Sequence, residues 1–324
     1  MITKDTILKI IKYAAKAPSG HNTQPWKFKI GNDSISILPD FTRALLVVDS
    51  DNHALYISLG CALENLIIAA NQFDYETKVT IHNNGNETFI QIDLYQVEEI
   101  KKTDLFNFIV KRQVTRNKYN PEKIQKEVLR ELFDDVLDKC VQVKLFLSKT
   151  EIETLTPYII EGTNLQFNNK AFVKELVSWV RFSEKEVLLK GDGLWSASMG
   201  LPNMGRCVGN FVMKNFVTAK SEAKRWEKII SKSEGFALFM VEKNDPEHWI
   251  KLGQAFQRFG LMATKMNIKH AHVNMPCEEL PVREKMIQNF QLYEYTPLLL
   301  IRFGYSNPLP YSYRRNINEI IIKS

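Results

Sequence analysis

Apolar residues recur at steps of three and four through Lys4–Ala15, His53–Tyr75, Pro121–Asp138 and His248–Ile268, the period of helices that bury one face. Between them, Trp26–Ile30, Thr77–His82, Glu87–Leu94, Val141–Leu147 and Thr296–Tyr305 read as strands. Two of the helices share more than a period. With Gly60 placed on Gly253, Ile57/Ile250, Leu59/Leu252, Gly60/Gly253, Ala62/Ala255 and Ala70/Ala263 are identical, and Leu63/Phe256, Leu66/Phe259 and Ile68/Leu261 stay apolar. Helical period alone accounts for matching apolar positions but not for a shared L-G-x-A. Glycine in mid-helix costs about 1 kcal/mol against alanine, so one at the same place in both helices implies that another backbone comes close.

The flanks follow the same plan. Lys4–Ala15 leads to the strand Trp26–Ile30, and Pro121–Asp138 leads to Val141–Leu147. Aligning Ile7 with Val128 leaves 72 more residues between the first helix and the glycine helix of the second part, an insertion over roughly Glu151 to Ile230. It carries helical stretches and the loop G-D-G-L-W-S-A-S-M-G-L-P-N-M-G, Gly191–Gly205, whose glycines and methionines suit a lid or a packed cover. The chain is therefore expected to be two helix–strand–helix–strand units fused head to tail, residues 1–110 and 111–324. Such units pack about a pseudo-two-fold axis as an isologous dimer would.

Composition narrows the chemistry. No apolar run reaches the roughly 18 residues of a membrane span, and the first twenty residues have a helical pattern rather than a secretory one. Net charge is +6 with the basic residues scattered, which fits attraction for a small anion and not a nucleic-acid arm or a membrane patch. Cys61, Cys140, Cys207 and Cys277 stand far apart with no CxxC and are expected as reduced thiols in the cytoplasm. His270 and His272 suit one face of a strand, but no nearby Cys or third His completes a metal set.

Four segments carry candidate chemistry. A-P-S-G-H-N-T-Q-P-W-K-F-K-I, Ala17–Ile30, joins a helix to a strand through a loop dense in amides and hydroxyls: a plain turn, or a ligand-binding loop. K-R-Q-V-T-R-N-K-Y-N-P, Lys111–Pro121, spaces Arg112 and Arg116 around Thr115: a solvated linker, or a phosphate clamp. Y-S-Y-R-R-N, Tyr311–Asn316, offers Arg314 and Arg315 as a basic tail or a second phosphate arm. The fourth is the Gly191–Gly205 loop, which has neither GxGxxG nor GxxxxGK[ST].

Ala17–Phe28 resembles the A-P-S-x-x-N-x-Q-P-W-x-F signature of the nitroreductase-like flavoproteins. Arg112–Arg116 resembles their R-x-S-x-R phosphate motif, with Val114 where serine is usual. The ending L-L-L-I-R-F-G-Y…Y-R-R-N-I-N-E-I-I is similar to their C-terminal pattern, with Asn316 in place of proline. The layout is that of the Acg-like branch, which joins two half-copies in one chain. The resemblance implies an α+β fold around FMN, with NAD(P)H as a possible reductant and a nitro-aromatic, quinone or similar small molecule as acceptor. Arg112, Thr115, Arg116, Arg314 and Arg315 would serve the phosphate and the N1/O2 edge, with Arg116 favoured for that edge. Pro18, Ser19, Gly20, Asn22 and Gln24 would line the ribityl chain and the ring, and the backbone about Pro276–Glu278 would meet N5. No protein nucleophile is required, because the flavin carries the chemistry. The loop and the arginine pair each occur once, in different halves, so the expectation is one FMN per chain and a monomer that imitates a dimer. A lid closed over the ring would instead make an FMN-binding or storage protein.

Overall fold

A computed structural model of the chain describes residues 2–322 apart from 86, 135 and 137–139. Helix α1 (Lys4–Ala14) is capped by Thr3, which accepts from the Thr6 amide, and buries the stripe Ile7, Ile10, Ile11 and Ala14. Strands β1 (Trp26–Ile30) and β2 (Ser34–Pro39) form a hairpin, the long helix α2 (His53–Gln72) follows, and β3 (Tyr75–Asn83) pairs with β4 (Thr88–Gln96). This sheet is antiparallel, in the order β1-β2-β4-β3.

The rest of the chain runs through α3 (Lys126–Asp134) and β5 (Val141–Phe146) into a long excursion. The excursion comprises α4 (Lys149–Asn168), α5 (Lys170–Trp179), β6 (Val180–Arg181), α6 (Glu184–Lys190), β7 (Leu194–Trp195), α7 (Arg206–Phe216) and α8 (Ala219–Ile230). Then come β8 (Gly235–Val241), α9 (Pro246–Lys265), β9 (Lys269–His272), α10 (Met275–Glu278), α11 (Leu280–Asn289), β10 (Thr296–Gly304) and α12 (Ile317–Ile320). The second sheet is antiparallel in the order β5-β8-β10-β9, which is the first order with each strand replaced by its counterpart. Helix α3 starts at Lys126 rather than at Pro121, and the last residues of its expected span lie outside the described ones.

The sequence pattern missed β2 and β8, and it placed His270 and His272 on a strand, here β9, without giving its bounds. Strand β8 is apolar without alternation, G-F-A-L-F-M-V, because both of its faces are covered: Ala237, Phe239 and Val241 join the main core, while Phe236, Leu238 and Met240 join a second core with Leu155, Ile159, Met275 and Met286. The excursion supplies that second cover. Edge strand β3 of the first sheet, by contrast, is half-buried or exposed at every residue but Tyr75. A second unforeseen excursion, residues 273–295, carries α10 and α11 between β9 and β10.

Helices α2 and α9 cross at their glycines. A Cβ on Gly60 would lie 2.0 Å from the Ile250 carbonyl oxygen, and one on Gly253 would lie 2.1 Å from that of Ile57. The two contacts are reciprocal, since Ile57 and Ile250 stand three residues before their glycines. The Cys61 thiol donates to the Gly253 carbonyl, and Gln257 Nε2 donates to Asn65 Oδ1 at 2.6 Å in the buried interface. By length and composition α2 could cross a membrane, but 89% of its most apolar window is buried inside the protein, as befits a core helix. Either Gly60→Ala or Gly253→Ala is expected to destabilise the fold by about 2–4 kcal/mol in denaturant unfolding. Gly205→Ala, where a Cβ meets nothing within 4 Å, is the neutral control.

Candidate functional site

The loop that follows α1 is tightly wound. Ser19 Oγ accepts from the Gln24 amide at 2.9 Å, and the Ser19 carbonyl accepts from the Asn22 amide at 3.0 Å. His21, Asn22 and Gln24 all have positive φ, at 46°, 55° and 53°. Left-handed backbone at non-glycine residues costs about 1–3 kcal/mol each and concentrates at functional sites. Here the cost is offset by burial of Asn22, Thr23 and Gln24 and by the bonds their side chains make.

The Arg112–Arg116 segment is laid against β9 by the Thr115 amide, which donates to the His270 carbonyl at 3.0 Å. Arg112 runs its stem past Gly260, where a Cβ would meet Arg112 Cδ at 3.2 Å. Residue 321, past α12, bridges to Phe28 of β1, and this return brings Tyr311–Arg315 across the first loop. Arg314 donates to the carbonyls of Lys16 (3.0 Å) and Ala17 (3.1 Å) and to Asn22 Oδ1 (3.2 Å).

These pieces enclose one cavity of about 70 Å³, lined by Pro18, Ser19, Asn22, Arg112, Arg116 and Arg314 from the sequence-derived set. Gln113, Val114, Leu194, His272, Pro310, Tyr311 and Ser312 complete the wall. Asn22 and Arg116, from opposite parts of the chain, thus face the same space. The wall is strongly cationic. Among the described residues no carboxylate pairs with Arg112, Arg116 or Arg314, and Arg112 Nε and Nη1 and Arg314 Nε are buried without a hydrogen-bond partner. Burial pushes the guanidinium pKa values down, to about 10 for Arg112 and Arg116 and about 9 for Arg314, with Arg112 repelling Arg314. All three remain charged at pH 7. Unpaired guanidinium groups around a small cavity are a receptor for a phosphate-sized anion.

The other named residues lie elsewhere. Gly20 packs toward Leu45. The Gln24 amide donates to the Gly191 carbonyl at 2.9 Å, and its oxygen accepts from the Arg315 amide. Thr115 is fully buried with its hydroxyl on Gln113. Pro276 and Glu278 sit on α10, where Glu278 takes bonds from Gln166 (2.7 Å) and Asn274 (3.2 Å). The Arg315 side chain lies 3.6 Å from Asp40 and 3.7 Å from Glu319, so it is not part of the open cationic set. Tyr311 and Ser312 fall in the tail segment singled out above and His272 on the expected strand face, but nothing local shows that a returning tail and an edge strand carry them to this loop.

The Gly191–Gly205 loop closes over this site. Asn22 Nδ2 donates to the Gly193 carbonyl at 3.1 Å, the Gly193 amide donates to the Asn22 carbonyl at 3.3 Å, and Leu194 reaches the cavity. Asp192 clasps the loop down by accepting from Arg181 (3.0 and 2.7 Å) and from Arg43 of the first part. Glu175 of α5 accepts from the amides of Val47 and Val48. Two amides expected to meet a ligand, those of Asn22 and Gln24, are thus engaged by the covering loop. The remaining space is about 70 Å³. That suits a phosphate group; a whole flavin nucleotide needs this loop displaced.

Burial and the arginines also hold His21 and His272 neutral, with pKa values near 4 and 3. A histidine depressed in the folded state and ordinary in the unfolded one destabilises the fold as pH falls from about 6.5 toward the folded value. Protein without added phosphate or nucleotide is therefore expected to lose about 1–2 kcal/mol per histidine between pH 7 and pH 5. His272→Gln should flatten that slope in unfolding measured at the two pH values.

No family model matches the chain. Two curated Mycobacterium tuberculosis proteins are similar to part of it. One, from strain H37Rv, named "Putative NAD(P)H nitroreductase", is 31% identical over 75 residues, 23% of this chain and 22% of that protein. The other, named "Putative NAD(P)H nitroreductase acg", is 29% identical over 69 residues, 21% of each. The match thus spans about a fifth of the length of these relatives. Among solved structures, the FMN-dependent nitroreductase NfnB of Mycobacterium smegmatis, in complex with NADPH, has 12% identity and a TM-score of 0.44, covering 67% of this chain and 96% of that one. A nitroreductase with bound FMN from Bacteroides fragilis has 12% identity and a TM-score of 0.41, covering 69% and 100%. Likeness at that level carries no argument, and the α+β architecture rests on the strand orders themselves. These curated relatives, over the 69–75 residues matched, bear the name of the family that the sequence motifs resemble.

Proposed function

We propose that this chain is an FMN-binding oxidoreductase that takes hydride from NAD(P)H and delivers it to a nitro-aromatic, quinone or similar small acceptor. The observation that carries the reading is the cavity in which Arg112, Arg116 and Arg314 meet Ser19 and Asn22 with no acid among the described residues to neutralise them. The FMN phosphate dianion would supply the missing charge, held by guanidinium groups of which Arg112 Nε and Nη1 and Arg314 Nε lack a partner. When bound, the isoalloxazine ring supplies hydride transfer at N5, which leaves the protein the work of binding, orienting and excluding water. Arg112 and Arg314 bridge the two parts of the chain, since both reach the Lys16 carbonyl. On this reading residues 1–110 and 111–324 are duplicated halves, one flavin is bound per chain, and the monomer does the work of a dimer. The four free thiols fit a cytoplasmic protein.

A second reading has its own observation. The loop clasped by Asp192 reaches the cavity wall through Leu194; a loop that yields to admit FMN and then closes again over the ring would shut out nicotinamide and make an FMN-binding or storage protein with little reductase activity.

Titration with FMN, followed by quenching of flavin fluorescence, is expected to give one site per chain. Arg116→Ala should weaken it at least tenfold, and unchanged affinity would remove the phosphate assignment. Anaerobic addition of NADPH to the loaded protein separates the two readings. Rapid bleaching of the flavin bands indicates an accessible ring. Slow bleaching that Asp192→Asn accelerates identifies the covering loop as the barrier.

A further inference from the structure

A second cluster of ligand-type side chains lies away from the cationic cavity, where the edge strand of the second sheet meets the start of α9. Cys140 immediately precedes β5, and Glu242 immediately follows β8. Antiparallel pairing of Val141 with Val241 sets the two side by side, and the Glu242 amide donates to the Cys140 carbonyl at 3.2 Å. His248 joins them from the first turn of α9. The ligand atoms of Cys140, Glu242 and His248 all lie within 4.8 Å of one another. Tetrahedral zinc with one sulfur and two N/O ligands sets such atoms about 3.3–3.8 Å apart, so small side-chain rotations close the set.

We propose that Cys140, Glu242 and His248 form a binding site for a thiophilic divalent cation of the zinc class. Three features of the surroundings support it. Asp245 Oδ1 lies 2.7 Å from His248 Nδ1 and also takes the His248 amide, so a carboxylate fixes the ring and leaves Nε2 its lone pair. This is the outer-shell arrangement that ligating histidines carry. The charges also balance. A thiolate and a carboxylate neutralise a divalent ion once the thiol proton is released to solvent. Finally, the set is reachable, because Glu242 is exposed and Cys140 half-buried, so a water can fill the fourth position. Lys251, whose Nζ lies 3.9 Å from Cys140 Sγ, also pairs with Glu247 at 2.8 Å. That carboxylate retains the ammonium when a metal takes the sulfur.

Among the described residues a second three-residue group, Asp49, Asp51 and His53, does not share these features. Both Asp49 oxygens are taken by the amides of Ala54 and Leu55, which leaves that carboxylate no free edge for a metal.

The test uses the full-length reduced protein and Co²⁺ as the probe, read by thiolate-to-cobalt charge-transfer absorption. Zn²⁺ is then titrated against the bound Co²⁺. One equivalent per chain is expected, with Cys140→Ser abolishing the charge-transfer band and Glu242→Gln weakening binding at least tenfold. Cys207→Ser, which removes the exposed thiol, should leave binding unchanged. Glu242 is a surface residue, so its variant reports even if Cys140→Ser fails to fold. Absence of the band in the wild type overturns the proposal, as does full binding by Cys140→Ser or Glu242→Gln, or loss of binding in Cys207→Ser.

Discussion

Everything in this molecule is arranged around the contact between two helix backbones at Gly60 and Gly253. Any side chain larger than hydrogen at either position would meet a main-chain carbonyl at about 2 Å. The close crossing draws each sheet against its own long helix and those helices against each other, with Asn65 and Gln257 sealing the seam. It also fixes where the ends of the elements fall. The loop after α1 and the segment before α3 belong to different parts of the chain. They share a cavity because the helices beneath them cannot slide, and mid-helix glycine cannot be exchanged for alanine without separating them.

The cavity adds a second constraint, of charge. Three guanidinium groups without a counter-ion repel one another, and burial deepens the penalty. The structure meets it mechanically. Backbone carbonyls of Lys16 and Ala17 and the Asn22 side chain hold Arg314, and Gly260 makes room for the stem of Arg112. By contrast, the nearby Arg43 and Arg181 have Asp192, and Arg315 has Asp40 and Glu319 close by. Acid is thus supplied where arginine only fastens elements and withheld at the cavity. That contrast within a few residues separates a ligand site from ordinary ionic stitching.

The sequence disclosed these features unevenly. The glycine helices, the Pro18–Gln24 loop and the Arg112–Arg116 pair stood out because each is local: a period, a cluster of turn residues, a spacing of four. Strand β2 is short and bounded by polar residues, and β8 lacks alternation because the excursion buries its second face. The partners that Gln24, Arg315 and Glu278 take in the folded chain were illegible for a related reason. Their side chains are engaged by the Gly191 carbonyl, by Asp40 and by Gln166, partners more than a hundred residues away. Cys140, Glu242 and His248 form no motif, since only strand pairing makes neighbours of the first two. Periodicity reveals which face is buried, but not which distant segment does the burying.

The covering loop cannot be regarded as a detachable lid. It belongs to an excursion whose helices bury Phe236, Leu238 and Met240 on the outer face of the second sheet. Deleting that excursion would expose a continuous apolar strand and unmake the core, whatever it did to access. Fully burying one such side chain is worth roughly 1.5–3 kcal/mol, so the excursion's stability lies mainly in this packing. The part that closes the cavity rests on a few polar clasps: Asp192 with its two arginines, Glu175 with two backbone amides, and the Asn22 and Gln24 amides. Each clasp has a water-bonded alternative and a modest net strength of about 1–3 kcal/mol. Opening therefore requires breaking polar contacts at the rim while the helical base stays in place. The chain can guard its cationic cavity in this way without making the fold depend on what occupies it.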